Sequence, residues 1–232
     1  GEHVMDGMDK RSGLPVISLY GSNRKPGPQQ LEGLDLVLFD IQDVGVRFYT
    51  YIATLQLVME ACASAGIPIL VLDRPNPNGG FVDGPVMQKE HRGFLGMTPI
   101  PLVYGMTMGE YAEMINGEGW LEDGARAALE VIPLKQYYHG KAYELPIPPS
   151  PNLPNQQAVR LYPSLGLFEG TRVNAGRGSL HQFQSFGAPF LDPVHFDFSY
   201  TPQPRPGAKN PKHKGLLCHG KDLRQVAAPE AV

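Results

Sequence analysis

The spacing of apolar residues in the first third of the chain predicts a strand–helix–strand unit. Residues 34–39 and 67–72 are short apolar runs that end in polar residues, as is typical of buried parallel strands. Between them, residues 51–65 have apolar positions at helical spacing, namely Ile52, Leu55, Val58, Met59 and Cys62. Gly66 supplies a stop for that helix. The pattern is a βαβ unit with a right-handed crossover, and the predicted fold class is α/β.

Further elements are predicted on both sides of this unit. We expect a strand over residues 14–20, a short helix over 26–32, a helix over 108–116 and a strand over 129–134. Thr107 and Glu110 have the spacing of a capping box at the start of the helix over 108–116. The segment from residue 73 to about 101 is long enough to be a binding loop or a lid. Residues 146–155 are too rich in proline for a helix or a central strand, and we interpret them as an ordered loop.

Polar side chains follow both strands of the predicted βαβ unit. The first strand is followed by Asp40, Gln42, Asp43, Arg47, Tyr49 and Tyr51, and the second by Asp73, Arg74 and Asn76. The carboxyl ends of parallel strands lie at one edge of a sheet, where open α/β sheets bind ligands. The alternative for the first group is a turn in which Asp side chains accept backbone N–H bonds. For the second, it is a rigid Pro/Asn turn with an Asp–Arg pair at its base.

Two later residues are candidates for chemistry. Glu169 follows an apolar run, and apolar surroundings favour the protonated carboxyl form that a general acid needs. The alternative is a surface carboxylate at the end of a strand. Arg177, in a Gly-Arg-Gly turn, is either an ion-pair partner or a binding group for a carboxylate.

Composition excludes several classes of protein. The net charge is −3 and there is no long basic run, so nucleic acid is not an expected partner. The two cysteines form neither a disulfide framework nor a zinc site, and the seven histidines have no metal-ligand spacing. No phosphate-binding glycine loop and no Gly-x-Ser-x-Gly motif occurs, and we therefore predict no metal and no cofactor. No apolar run is long enough to span a bilayer.

The motifs together resemble one family, the bacterial exo-β-N-acetylmuramidases, which were formerly a domain of unknown function (DUF1343). The resemblance extends from Gly1 to about Leu223. It is carried, in order, by SLYG at 18–21, DIQDVGVRFYTY at 40–51, LDRPNPNGG at 72–80, IP at 100–101, GMTMGE at 105–110, PSPNLP at 149–154, FEGT at 168–171 and GRGS at 176–179.

This resemblance implies a fold, a compartment and an activity. It implies a Rossmann-like α/β domain (1–180) and a smaller α+β domain (181–232), with the cleft between them and both domains incomplete here. The implied reaction is hydrolysis of the terminal, non-reducing N-acetylmuramic acid of peptidoglycan-derived disaccharides or muropeptides. Family members are typically exported, so we expect a periplasmic or extracellular protein. We also expect the chain to be a piece of a longer polypeptide, because it lacks an initiator Met, and the export of family members implies a signal peptide upstream of it.

The resemblance also assigns roles to residues, with one departure. The family has a Pro-Glu-His-Gly motif before the region that matches Gly1, and Glu2-His3 only superficially resembles it. We therefore expect one catalytic carboxylate to be missing from this chain. As a working hypothesis, Glu169 is the acid/base and both Asp40 and Tyr49 orient the sugar. The predicted substrate-binding residues are Gln42, Asp43, Arg47, Tyr51, Asp73, Arg74, Asn76, Asn152 and Arg177, with the three arginines available to the lactyl carboxylate.

Two other functions remain as alternatives. A chain that lacks one carboxylate could bind muropeptides without cutting them, and turnover measured beside affinity separates that binding module from an enzyme. A nucleotide-binding protein is suggested only by analogy of fold. That alternative requires a phosphate-binding glycine turn after the first strand, which residues 21–26 do not provide.

Overall fold

The computed structural model describes residues 5–227 of the chain. Its strands are β1 (Gly7–Met8), β2 (Pro15–Val16), β3 (Val37–Phe39), β4 (Ile69–Leu72), β5 (Leu129–Ile132), β6 (Ser185–Ala188), β7 (Phe198–Tyr200) and β8 (Cys218–Asp222). Its α-helices are α1 (Pro28–Leu31), α2 (Tyr51–Ala65), α3 (Met108–Gly117) and α4 (Gln156–Leu165). Short 3₁₀ helices cover Lys89–His91, Glu122–Gly124 and Gly166–Gly170. This mixture of helices and strands confirms the predicted fold class.

The chain folds as two compact units. Of the described residues, the first unit contains 5–76 and Gly84–His139, and the second contains Pro77–Asp83 and 140–227. A division by compactness is not the same as a division into domains. The predicted domain boundary after residue 180 therefore stays a prediction.

A parallel sheet is the centre of the first unit. Its strand order is β3-β4-β5, with Val37 opposite Ile69 and Ile69 opposite Leu129. The β3–α2–β4 connection confirms the predicted βαβ unit. Helices α2 and α3 supply the apolar side chains that cover one face of the sheet, among them Leu55, Met59, Tyr111 and Ile115. Burial of these side chains is the main favourable contribution to folding of this unit.

The ends of these helices follow their sequence signals. Gly66 has the left-handed conformation (φ 69°) and its N–H donates to carbonyls of the last turn of α2. At the start of α3, the Thr107 side chain accepts from the Glu110 N–H, while the Glu110 carboxylate accepts from the Thr107 N–H. The predicted capping box is therefore confirmed.

Two strand predictions need correction. The run 34–39 is a strand only from Val37 to Phe39, and it is not buried on both faces, since Leu38 is 60% exposed. The reason is that successive side chains point to opposite faces, and only the face with Val37 and Phe39 packs into the hydrophobic core. The run 14–20 is reduced to the two-residue strand β2, which pairs with β1 and is exposed.

The second unit contains an antiparallel sheet of order β6-β8-β7 and the helix α4. Asn155 caps α4 by accepting the Ala158 N–H at 3.0 Å. The proline-rich segment before α4 is anchored by Leu153, which is only 1% exposed. Glu169 does not lie at the end of a strand, because residues 166–170 continue from α4 as a 3₁₀ helix. The alternative that Glu169 is a surface carboxylate at the end of a strand is therefore wrong about the strand.

Candidate functional site at the carboxyl edge of the parallel sheet

The loops that follow β3 and β4 meet at the carboxyl edge of the sheet. Arg74 Nε donates to Asp40 Oδ1 at 2.6 Å, and Gln42 Nε2 donates to the Pro75 carbonyl at 2.8 Å. The Asp40 and Arg74 side chains are 45% and 41% exposed. The sequence prediction that both polar loops lie on one edge is confirmed.

Asp73 uses its carboxylate to hold the start of α3. Its Oδ2 accepts from the Thr107 hydroxyl and its Oδ1 from the Gly109 N–H, both at 2.8 Å. A negative charge at a helix N-terminus is stabilised by the unpaired N–H groups and the helix dipole. Gly109 permits this approach, because a Cβ at that position would lie 2.6 Å from Val131 and 2.9 Å from the Asp73 carboxyl carbon. Asp73 therefore connects the end of β4 to the start of α3.

Asn76 is also an internal support. Its side chain is 5% exposed and its Nδ2 donates to the Met106 carbonyl at 2.8 Å. It packs against Gly45, which has a φ of +74° and whose Cβ would lie 2.2 Å from Asn76 Oδ1. Only glycine fits there without displacing the amide.

Asp43 is buried beneath this edge in contact with Tyr104. The Tyr104 hydroxyl and the Gly45 N–H both donate to Asp43 Oδ2, whereas Oδ1 has no hydrogen-bond partner in the part of the chain that the structure describes. Desolvation raises the pKa of Asp43 to about 6, against the opposing effect of these hydrogen bonds. Burial and the nearby Asp43 charge likewise raise the pKa of Tyr104 well above its ordinary value. Sequence reasoning missed Tyr104, because nothing in the local pattern connects two residues 61 positions apart.

Arg47 lies inside the first unit rather than at its surface. Arg47 is 7% exposed, and its Nη1 donates to the carbonyls of Pro85 at 2.8 Å and Ile100 at 2.5 Å. Burial lowers the pKa of the guanidinium. Arg47 thus fastens the two ends of the segment 85–100 to the motif after β3.

Tyr49 and Tyr51 are half-buried at the start of α2. Their rings are in edge-to-face contact with centroids 5.2 Å apart. Burial, followed by the influence of Tyr20 and Asp43, raises the pKa of Tyr51. The two tyrosines present an aromatic surface beside the polar loop, which suits contact with the face of a sugar ring.

The loop after β5 brings a second hydrogen-bonded pair of side chains to this edge. His139 Nε2 lies 2.8 Å from Glu110 Oε1, and these side chains are 50% and 42% exposed. Nearby, the Tyr137 hydroxyl accepts from the Asn76 N–H and donates to the Asn76 carbonyl, both at 3.2 Å. Sequence reasoning missed His139 and Tyr137, since a single His or Tyr in a loop has no spacing that marks it.

The second unit contains a separate polar cluster around the Gly207 carbonyl. That oxygen accepts from Arg177 Nη2 at 2.7 Å and from Asn152 Nδ2 at 2.9 Å. Arg177 Nη1 also donates to Glu169 Oε1 at 2.6 Å. Three predicted site residues from distant motifs, Asn152, Glu169 and Arg177, therefore lie together.

Lys212 fixes the backbone that carries Glu169. Its Nζ donates to the carbonyls of Phe168, Glu169 and Thr171 at 2.9, 2.8 and 2.6 Å. Desolvation lowers the pKa of Lys212. The Glu169 side chain is 38% exposed and faces Arg177, so it does not have the apolar surroundings that the sequence suggested. Its predicted role as acid/base stays a prediction, as do the roles of Asp40 and Tyr49.

Other features of the chain bear on binding. Within residues 5–227, no group of three or more His, Cys, Asp and Glu side chains has the arrangement of a metal site. Over the same residues, no helix combines the length and the hydropathy needed to cross a bilayer. Glu2 and His3, which superficially resemble the family's Glu-His motif, lie outside the described residues.

The protein is therefore an α/β protein with polar side chains at the carboxyl ends of parallel strands, which is where open α/β sheets bind ligands. The models of the N-terminal and C-terminal domains of exo-beta-N-acetylmuramidase NamZ match residues 1–157 and 160–232. The chain belongs to this family. It is 41% identical, over 96% of its length, to the curated Bacillus subtilis (strain 168) protein named peptidoglycan beta-N-acetylmuramidase NamZ.

Solved structures agree with this assignment. Two crystal structures of DUF1343 family proteins from Bacteroides fragilis NCTC 9343 are similar to this chain. One has a TM-score of 0.89 and 47% identity over 95% of this chain, and the other a TM-score of 0.84 and 32% identity over 97%. The chain spans 56% of the Bacillus subtilis relative and 60% and 62% of the two crystallised chains.

Proposed function

We propose that the full-length protein is an exo-acting glycosidase that releases terminal, non-reducing N-acetylmuramic acid from peptidoglycan-derived disaccharides or muropeptides. The observation that carries this proposal is the 41% identity to a protein named as a peptidoglycan beta-N-acetylmuramidase, which extends over 96% of this chain. A match of that extent includes both the carboxyl edge of the parallel sheet and the cluster around Gly207. Peptidoglycan lies outside the cytoplasmic membrane, which supports a periplasmic or extracellular location.

Within this function, we assign Arg74 to the lactyl carboxylate of muramic acid. Among the three arginines that the sequence offered, Arg47 is buried and donates to two carbonyls, and Arg177 is engaged by Glu169 and Gly207. Arg74 also bonds to Asp40, but its side chain is 41% exposed, against 29% for that of Arg177, and it lies at the carboxyl edge of the sheet. Asp40 accepts from Arg74 Nε and so fixes the plane of the guanidinium. A guanidinium held in one plane suits two-point recognition of a carboxylate.

Hydrolysis is tested with the full-length protein and two substrates. A chromogenic N-acetylmuraminide reports turnover, and a disaccharide of N-acetylmuramic acid and N-acetylglucosamine reports which end is cleaved. We expect release of N-acetylmuramic acid from the non-reducing end only. Saturable binding of the disaccharide without turnover would instead establish the non-catalytic binding module.

The assignment of Arg74 is tested by comparing two glycosides that differ only in the lactyl group. Arg74→Met should lower kcat/KM for the muraminide by about 10- to 100-fold, as loss of a charged hydrogen bond predicts, and should leave the value for the N-acetylglucosaminide nearly unchanged. Arg126→Met, which removes an exposed guanidinium elsewhere in the first unit, is the matched control. Equal losses on both glycosides would exclude Arg74 as the lactyl-binding residue.

Glu169→Gln tests the predicted acid/base separately. We expect it to lower kcat by at least about 100-fold, the usual contribution of general acid–base catalysis. Full activity of this variant would remove Glu169 from the catalytic set, and the proposed glycosidase function would then depend on other carboxylates.

A further inference from the structure

An exposed histidine at the carboxyl edge is held in one orientation by α3. His139 Nε2 lies 2.8 Å from Glu110 Oε1, while Glu110 Oε2 accepts from the Thr107 N–H at 2.8 Å. The carboxylate that contacts His139 is therefore fixed by the capping box of the helix. Thr107 is in turn held by Asp73, at the end of β4. A chain of hydrogen bonds thus connects the imidazole to the sheet.

This contact identifies the ring nitrogen that carries a proton in either charge state. An ionised carboxylate only accepts hydrogen bonds, so Nε2 must carry the proton that points to Glu110. In the neutral ring, Nδ1 is then an acceptor, and in the imidazolium it is a donor. A carboxylate that orients a histidine in this way is a recurring feature of sites in which the second ring nitrogen contacts a ligand.

Stability of the fold does not account for the pair. Both side chains are about half exposed, at 50% and 42%, and exposed ion pairs contribute little to stability. The capping box is complete without the histidine, because it needs only Thr107 and the second oxygen of Glu110. His139 lies instead beside Tyr137, with ring centroids 6.3 Å apart, and the Tyr137 hydroxyl bonds to the backbone of Asn76 in the loop after β4.

We propose that His139 is a substrate-contacting residue of this site, and that its Nδ1 binds a hydroxyl group of the terminal pyranose. Glu110 is the positioning residue that holds the ring in the required tautomer. The inference rests on the proposed glycosidase function, and it adds two residues that were not among the substrate-binding residues predicted from the sequence. A sugar hydroxyl is the matching partner, since it can donate to neutral Nδ1 or accept from the imidazolium.

Two substitutions at one position separate contact with substrate from a structural role. In His139→Asn, the side-chain amide occupies roughly the place of Nδ1, whereas in His139→Gln it occupies roughly the place of Nε2. We expect the Gln variant to lose about 10-fold in kcat/KM, as loss of one hydrogen bond predicts, and the Asn variant to retain most of the activity. A purely structural pair with Glu110 predicts the reverse order, and that order would overturn the proposal.

Glu110→Gln tests the positioning role. Glutamine is compatible with the capping box, so α3 should keep its start. Its single side-chain oxygen cannot serve both the Thr107 N–H and the imidazole, and the ring is expected to change tautomer. We expect a fall in kcat/KM similar to that of His139→Gln with little change in Tm. Glu113→Gln on the exposed face of α3 and His91→Asn in its 3₁₀ helix are matched controls that should keep full activity.

A binding measurement makes the inference independent of turnover. Long-range ¹H–¹⁵N spectra of the full-length protein report the ring nitrogens of each histidine, and His139→Asn assigns the signal of interest. Free N-acetylmuramic acid should shift the His139 Nδ1 signal and leave that of His91 in place. A shift in a protein that shows no turnover would keep His139 as a contact and reject the glycosidase function. Absence of a shift at a saturating concentration of sugar would reject His139 itself.

Discussion

The buried carboxyl group of Asp43 gives the sharpest prediction for the first unit. Desolvation raises its pKa to about 6 in the folded protein, from an ordinary value of 3.8. The difference of about 2.2 units corresponds to roughly 3 kcal/mol, at about 1.36 kcal/mol per unit. We therefore expect Asp43→Asn to change how the free energy of unfolding depends on pH.

The sign follows from which state holds the proton. Below about pH 3.8 the carboxyl group is protonated in both states, and its burial carries no charge. Between about pH 3.8 and 6 it ionises only in the unfolded state, so the free energy of unfolding falls as pH rises. Above about pH 6 the folded state also ionises and the full loss of about 3 kcal/mol persists. The amide introduced by Asp43→Asn has no charge in either state, so the variant lacks this dependence.

Urea unfolding of the full-length protein and of Asp43→Asn, at several pH values from about 4 to 7, measures the effect. The free energy of unfolding of the wild type minus that of the variant should fall by roughly 2.4 kcal/mol over this range, because part of the total effect is already present at about pH 4. Asp35→Asn removes an exposed carboxylate just before β3 and should give a nearly constant difference. A constant difference for Asp43→Asn, or one that grows with pH, would refute the argument that desolvation dominates at this group.

Three further predictions concern supports of the site. Gly45→Ala should lower the free energy of unfolding by about 1–3 kcal/mol, because Gly45 has a φ of +74° and a Cβ there would lie 2.2 Å from Asn76 Oδ1. Urea unfolding measures this change, and an unchanged free energy of unfolding would contradict the packing. Arg47→Met should make the segment 85–100 more sensitive to limited proteolysis, since two carbonyls lose their donor; unchanged cleavage would contradict this. Lys212→Met should lower the free energy of unfolding by about 1 kcal/mol and should also lower kcat, because the backbone at Glu169 loses its hydrogen-bond donor. Lys214→Met, at an exposed position, is the control and should change neither quantity in urea unfolding and turnover assays.

Much of the parallel sheet was predictable because its signals are local. The helical spacing of Leu55 and Met59, the stop at Gly66 and the capping box at Thr107 each lie within one turn of the element that they define. The meeting of the two polar loops followed from one topological rule, that parallel strands share a carboxyl edge. The exposed face of β3 was not predictable, because a run of apolar residues does not tell whether one face or both will be covered.

The roles of individual polar residues were less predictable, because their partners are distant in sequence. Arginine is a residue type that often binds carboxylates, but the acceptors of Arg47 are backbone carbonyls 38 and 53 positions away in the sequence. Glu110 and His139 are 29 positions apart, on a helix and a loop that come together only through the sheet. No periodicity or motif encodes such pairs, and only the tertiary fold identifies them.

The polar residues at the carboxyl edge fall into two layers with different reasons to be there. Arg47 represents the inner layer, in which a buried charge would be costly without its backbone acceptors, so that the fold alone explains the contacts. The outer layer consists of the pairs Asp40–Arg74 and Glu110–His139, which are exposed enough to contribute little to stability. Asp40, Arg74 and His139 form side-chain contacts that contribute little to the stability of the fold, and they are the residues that we expect to contact the sugar. Substitutions in the inner layer should therefore act first on stability, and those in the outer layer on kcat/KM.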